Sequence, residues 1–466
     1  MRLVQLGWVC ALLAAGCGGK GVSAVDAGGL GDTGPAVDAG AVGDAGAADA
    51  AAVDVPSADV SSADVPSADV PAQPVASPTW AEHVAPILYN TCVGCHRAGE
   101  IGPFPLVSYE DARNVAPLMR RVTAERSMPP TVVNATGACQ NYRSDVRRLT
   151  DAEIATIGRW VEQGTPQGDP RRAPPLPPSP SGLTEADVRL DIGTTYMPNA
   201  SRTDDYRCFI ADPGITEDRY VTAFEVIPGE PRVVHHVIVY SLPNATAQQA
   251  AERQDAQDTT PGYECFGGPG VDGSMPLAIW APGGVVTRFP RNTGLLANAG
   301  RKVVIQVHYN LAGGSLPDRT RVNLLTARAV TAQGFLVPYR PDRVELPPRM
   351  TEAVASDVLD LGNLQGLPQV FVYGVAPHMH TLGRTLRVDV LRNDERHCLV
   401  DVPRWDFHWQ QIAFYDQPFT VRRGDRVSIR CSYDTTSRSA VTRWGEGTQD
   451  EMCLNYFYIT PFRAPN

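Results

Sequence analysis

The chain has 466 residues, room for about three domains, and 43% of them are hydrophobic, enough for packed cores and too many for a wholly disordered chain. Its 40 prolines and 42 glycines disfavour an architecture of long helices. The formal net charge is −10, and no basic patch with interleaved aromatics occurs, which excludes a nucleic-acid partner.

Residues 1–17 are a targeting segment. Arg2 precedes an apolar run over 3–15 that is too short to span a membrane. The run ends Ala14-Ala15-Gly16-Cys17, which resembles a bacterial lipoprotein signal, with cleavage before Cys17 and lipidation of its sulfur; Ala14 stands where that signal usually has Leu. Without lipidation the same segment is a secretory signal. Both readings predict an extracytoplasmic protein, and the first predicts one lipid-anchored to a bacterial membrane, in the periplasm or at the cell surface. Residues 18–78 are Ala-, Asp- and Pro-rich, with the repeat Val55-Pro56-Ser57-Ala58-Asp59 recurring with small changes at 60–64 and 65–69. Nine Asp against Lys20 give this stretch −8 of the net charge. It buries too little to fold and is expected to be a disordered tether, so the acidity says little about substrate.

Residues 79–169 are expected to form a small all-α unit. Residues 80–89 have the pattern of an amphipathic helix that leads into Cys92-Val93-Gly94-Cys95-His96. In C-x-x-C-H two thiols can form thioethers to haem vinyl groups while the next His ligates iron. A disulfide or a zinc half-site is the other use of such a pair, but the adjacent His and the extracytoplasmic address favour haem c. Met128, in Ser127-Met128-Pro129-Pro130, is the candidate sixth ligand, and Met/His ligation suits an electron carrier. Met119 lies in a helical run and is expected in the core. Thr150 and Glu153 suit a capping box, with Ile154, Ile157, Trp160 and Val161 on one face. The unit resembles small bacterial c-type cytochrome domains.

Residues 166–183 contain seven prolines, and 170–183 are expected to be an interdomain linker. From 184 on, short apolar runs separated by Pro/Gly turns predict an all-β region. Five of the nine histidines lie in three of these runs. His378 and His380, in Pro377-His378-Met379-His380, follow the strand-like run 370–375. Positions i and i+2 of a strand share a face, so both imidazoles can aim at one metal. Met452, in Asp450-Glu451-Met452-Cys453, is the candidate third ligand, and two imidazoles with a thioether suit copper that visits Cu(I). His235 and His236 are adjacent in a second run and face opposite ways on a flat strand. With His308 of a third run they share a metal, copper or zinc, only if that strand twists or bulges.

His-His-x(3)-Tyr at 235–240, Gln306-Val307-His308-Tyr309, His378-x-His380-x-Leu382-Gly383 and Asp450-Glu451-Met452-Cys453 occur in the order found in the type II copper monooxygenases that hydroxylate peptidylglycine and dopamine, and the chain resembles that family over about 203–462. Residues 279–284 and Arg288-Phe289-Pro290 add to the likeness. The resemblance implies two jelly-roll-like β-sandwiches, 184–329 and 330–466, with a cleft and a mobile interface between them. It implies one copper on His235, His236 and His308, and a second on His378, His380 and Met452, where a small organic substrate is hydroxylated with O2. It implies roles near the coppers for Gln306 and Tyr456, and disulfides Cys208–Cys265 and Cys431–Cys453. Cys139 and Cys398 are left undecided between pairing across domains and staying free. Ascorbate or another reductant is the implied electron donor, and the haem is expected to relay electrons or to meet a redox partner protein. Peptide-hydroxylating members carry an Arg two residues before His-x-His that grips a carboxylate; Ala376 stands there, so C-terminal glycine peptides are not expected substrates. The alternative is a non-enzymatic haem and copper electron-transfer or copper-binding surface lipoprotein. Of the other histidines, His83 is expected to pack locally and His397 to lie in a loop; His408 lies among aromatics, with an approach to the cleft as the less favoured reading.

Overall fold

The computed structural model describes residues 75–465 except 99, 101, 132, 135, 144, 145, 147, 180, 181, 283, 285, 363, 365 and 408. The targeting segment with Cys17, most of the tether, and His408 lie outside the described residues.

The helical unit begins with a π-helical turn, Trp80–Val84, that continues as Ala85–Thr91 with Pro86 in its first turn, where a missing N–H costs nothing. Tyr109–Asn114 and Ala116–Ala124 follow, and Asp151–Glu162 closes the unit. Thr150 and Glu153 form the capping box reciprocally. Trp80, Leu88, Leu106, Met119, Ile157 and Trp160 make the core, with Cys92 and Phe104 packed at its margin. His83 accepts from the Thr79 N–H at 3.1 Å, a local contact at the helix start.

The rest is β. A five-stranded antiparallel sheet has the order Tyr263–Glu264, Asp204–Ala211, Val303–Asn310, Val234–Ser241, Met275–Trp280. Its central strand, Val303–Asn310, is buried along nearly its whole length. One face, with Ile305, Val307 and Tyr309, packs into the first sandwich core. The other, with Val304, lies under the helix Ala245–Gln257 and the Cys208–Cys265 disulfide. The alternation therefore turns Gln306 and His308 to the outer face. A four-stranded sheet, Ala353–Asp360, Arg426–Tyr433, Gly383–Arg392 and Glu395–Val402, covers a second core containing Leu386, Val388, Val400 and Ile429.

A nine-stranded sheet backs both cores. Ala332–Tyr339 pairs in parallel with Thr293–Ala297 on the first-core side and antiparallel with Leu454–Thr460 on the second-core side, and Gln369–His378 continues the sheet beyond it. The two sandwiches thus share a backbone ladder, a stiffer join than the mobile interface that two separate sandwiches would have. His397 lies in the strand Glu395–Val402, not in a loop; this is an edge strand, where charged neighbours such as Glu395 and Arg396 remain in water.

Val133, Asn134 and residues 136–143 leave the helical unit and lie on the second sandwich. Val133 and Tyr142 join its core, Asn134 N–H donates to the Asp401 carbonyl at 2.7 Å, and Gln140 donates to the Cys398 carbonyl at 2.6 Å. A disulfide, Cys139–Cys398, closes this contact, which settles a pairing the sequence left open. The proline-rich segment is held at both ends: Pro166 and Gln167 carbonyls accept from Trp80 and Ala81, and Leu183 N–H donates to Glu225.

Candidate metal centre

His235, His236 and His308 come together on the outer face of the five-stranded sheet. The Val234–Ser241 strand slips register against Val303–Asn310 between Val234 and His236, so His236 faces His308 and His235 is the extra residue of a bulge. That bulge is what lets two adjacent imidazoles serve one centre. The ligating nitrogens of the three lie within 4.8 Å of one another, and His308 Nδ1 is 3.2 Å from His235 Nδ1 and 3.3 Å from His236 Nδ1.

The tautomer of His308 follows from its neighbour. Its Nε2 is 2.9 Å from Asp204 Oδ1. Burial tends to raise the Asp204 carboxyl, but hydrogen bonds from His308 and Thr448 outweigh it and hold the group down at about 2. An ionised carboxylate only accepts, so Nε2 carries the proton and Nδ1 offers a lone pair. Burial lowers all three imidazoles, and for His235 and His236 the neighbouring imidazoles add to it. Neutral nitrogens converging in a buried spot fit a soft or borderline cation, and His235 Nε2 has no hydrogen-bond partner. Tyr206 stacks on His308, ring centroids 4.1 Å apart.

The second donor set lies at the end of Gln369–His378. His378 and His380 have ring centroids 5.2 Å apart, nearly perpendicular. His378 Nδ1 is 2.6 Å from Gln410 Oε1, and His380 Nδ1 is 3.1 Å from the Asp450 carbonyl. Both partners accept, so both rings protonate Nδ1 and present Nε2. Burial lowers them to about 4 and about 3. His378 pairs with Leu454 at the end of the ladder, and Met452, two residues before Leu454 in the chain, lines the same cavity as His378. Met452 is buried, flanked by the Cys431–Cys453 disulfide, and its carbonyl accepts from Tyr433 at 2.8 Å. The Glu451 carboxylate accepts from His380 N–H at 2.9 Å and from Leu382 N–H; burial raises it to about 7 against those donors. The donor set fits copper better than a hard cation.

His236 and Gln306 of the first set's sheet, and His378, Met452, Ala376 and Tyr456 of the second, line one cavity of about 130 Å³. Gln306 is fixed by donating to the Cys265 carbonyl at 2.8 Å. Tyr456 pairs with Ala376, and burial raises its hydroxyl to about 12. Among the described residues lining this cavity Glu446 is the only charged one, and burial raises its carboxyl to about 7 against the pull of Arg340. Phe407 stacks on His235 with centroids 4.5 Å apart and lies 6.1 Å from His380, so one ring stands between the two sets. Trp405 Nε1 donates to the His380 carbonyl at 3.0 Å.

Cys92, Cys95 and His96 form a turn after Ala85–Thr91, with the His96 N–H bonded to the Cys92 carbonyl. His96 Nδ1 donates to the Phe104 carbonyl at 3.0 Å, which leaves Nε2 as an acceptor. Gly102 passes so close that an added Cβ would meet the Cys95 carbonyl at 2.7 Å and the His96 ring at 2.9 Å. Met128 lines a different cavity, about 590 Å³, between the helical unit and Pro403, Arg404 and Asp406; Cys92, Cys95 and His96 are not among its lining residues.

Sequence reasoning passed over Asp204, Tyr206, Thr448, Trp405, Phe407 and Glu446. None belongs to a spaced motif, and each acts through contacts with residues far away in the chain.

Fold and donor chemistry define a class: a β-sandwich protein with two histidine clusters, each contributing to the wall of one cavity. Residues 341–463 match the model of the copper type II ascorbate-dependent monooxygenase C-terminal domain. Tyramine beta-hydroxylase of Caenorhabditis briggsae is 25% identical over 303 residues, 59% of this chain and 49% of that protein. DBH-like monooxygenase protein 1 of Gallus gallus is 26% identical over 322 residues, 63% and 49% of the two chains. Dopamine beta-hydroxylase of Rattus norvegicus is 24% identical over 311 residues, 61% and 47%. The chain spans about half the length of these curated relatives. Over 341–463 the chain is similar to the C-terminal domain of that family, and over about three fifths of its length to these hydroxylases.

Proposed function

We propose that the protein is a copper-dependent monooxygenase that places one atom of O2 into a C–H bond of a small organic substrate. The observation that carries this reading is that His236 of the first donor set and His378 and Met452 of the second line one cavity. His235, His236 and His308 would hold one copper, and His378, His380 and Met452 the other. Copper, when bound, supplies single-electron steps to dioxygen. The chain's own part is to hold Nδ1 of His308 and Nε2 of His378 and His380 as lone pairs, through Asp204, Gln410 and Asp450, and to shelter the substrate between Tyr456, Gln306 and the apolar wall of Ile238, Ile279 and Leu454. Two relatives are named for hydroxylating tyramine and dopamine, both amines. Among the described residues lining the cavity Glu446 is the only carboxylate and none is Lys or Arg, which favours a cationic amine here too. Copper analysis with oxygen uptake and product mass tests the reading. Two coppers per chain and uptake matched to hydroxylated product are expected; zero or one copper, or uptake without product, would sink it.

We also propose haem c on Cys92, Cys95 and His96, with Met128 as the sixth ligand. Haem supplies one-electron transfer, here as a relay to the coppers in place of ascorbate or ahead of it. The His96 tautomer and the close approach of Gly102 support this reading. Met128 facing another cavity means that its loop must turn for the ligation to form. A protein mass increased by one haem tests it. Lipidation of Cys17 is proposed as the membrane anchor, and Cys17→Ala should move the protein from the membrane fraction to the soluble one.

A further inference from the structure

The two donor sets belong to different cores, yet one short segment touches what stands behind both. Residues 446–452 run from the rim of the first set to the second. The Tyr206 hydroxyl, whose ring stacks on His308, donates to the Glu446 carbonyl. The Thr448 hydroxyl donates to Asp204 Oδ1 at 2.6 Å, and the Thr448 N–H to Oδ2 at 3.3 Å. Asn310, two residues after His308, donates to Thr448 Oγ1 at 3.1 Å. Because that oxygen already accepts from an amide, its own proton is aimed at Asp204. Two residues on, the Asp450 carbonyl accepts from His380 Nδ1; then Glu451 takes the His380 and Leu382 N–H groups, and Met452 follows. The segment has no slack. Asp450 N–H returns to the Gly447 carbonyl at 2.8 Å, and Glu451 N–H donates to the Arg443 carbonyl at 3.1 Å.

We propose that residues 446–452 are a strap that couples the two ligand sets, and that Thr448 is its positioning residue: a hydroxyl supplied by the second sandwich that fixes the Asp204 carboxylate behind His308 of the first. This rests on the copper reading above. Asp204 shares Oδ1 between His308 and Thr448. Without the hydroxyl, Oδ1 draws harder on the His308 N–H, and Nδ1 becomes a stronger donor that favours Cu(II) over Cu(I). Thr448 and Met452 are four residues apart, at most about 14 Å of extended chain, so a shift at one end reaches the other.

The test is Cu(I) affinity of the first set, by competition against a chelator of known affinity, with the Cu(II) paramagnetic resonance spectrum as second readout. Thr448→Val keeps the shape and removes the donor. It should lower the Cu(I) affinity relative to the Cu(II) affinity about tenfold and shift the spectrum, and Thr448→Ser should restore both. Asn310→Ala, which loosens the same hydroxyl from the other side, should shift the spectrum in the same direction and serves if Thr448→Val does not fold. Coupling is read by combining Thr448→Val with His380→Ala: their effects on first-set affinity should be non-additive. Affinity and spectrum unchanged in Thr448→Val, or effects that simply add, overturn the proposal. A wild-type chain that binds no copper overturns the copper reading instead, so the two failures are distinguishable.

Discussion

Met452 and Glu446 carry the sharpest single-residue expectations. Met452 is the one thioether on the shared cavity, and its removal leaves His235, His236 and His308 untouched. Met452→Ala should lower hydroxylation by about 100-fold or more while one copper per chain remains. Elemental analysis beside product assay checks this, and full turnover would rule out the ligand. Glu446 has an ordinary carboxyl value of 4.5 and is raised to about 7 by burial. Its folded form therefore holds the proton more tightly than the unfolded chain, and its contribution to stability is present below 4.5 and lost as pH rises towards 7. Binding a cationic amine needs the opposite, ionised form. The kcat/KM for an amine should rise with pH through about 7 and lose that limb in Glu446→Gln, with a drop of about tenfold above pH 7. A neutral substrate of the same shape should show neither effect. An unchanged profile in Glu446→Gln would remove Glu446 from substrate recognition.

Among the elements, the segment 131–143 is the unexpected one. Its composition resembles a loop of the helical unit, yet Val133 and Tyr142 are buried in the second sandwich and Cys139 is bonded to Cys398 across 259 residues of chain. Replacing both cysteines by Ser should lower the stability of this docked arrangement by about 2–4 kcal/mol. The melting temperature should fall, and proteolysis should open residues 131–143 before either sandwich. Equal melting and equal protection would show that the apolar contacts alone hold the segment. The strand Val234–Ser241 makes the complementary point. Its bulge, not its regular alternation, brings His235 to His308, which is why the strand period alone could not decide whether adjacent histidines cooperate.

For the whole molecule, the contact between helical unit and second sandwich bears on electron supply. The sequence predicts a proline-rich linker, 170–183, between the helical unit and the sandwiches. The helical unit instead packs on the second sandwich, beside Pro403, Arg404 and Asp406, and the intervening residues Trp405 and Phe407 reach His380 and His235. In stopped flow, protein with reduced haem and oxidised copper should show haem oxidation at a rate independent of protein concentration, lost in copper-free protein under anaerobic conditions. A rate rising linearly with concentration would point to transfer between molecules and sink the relay.

Residue types and their spacing were enough to mark the short-strand β region, the C-x-x-C-H turn, the capping box at Thr150, and the ligand-type residues His235, His236, His308, His378, His380 and Met452. These are local signals: period, composition, and motifs whose chemistry lies within a few residues. What stands behind these histidines was decided only by the fold. Asp204 and Thr448 are 244 residues apart and meet through a 2.6 Å hydrogen bond. Phe407 lies between His235 and His380, and Cys139 is bonded to Cys398 across 259 residues of chain. Pairings of that range leave no period in the sequence, because they are fixed by how sheets share strands and by which buried polar groups must find partners once water is gone.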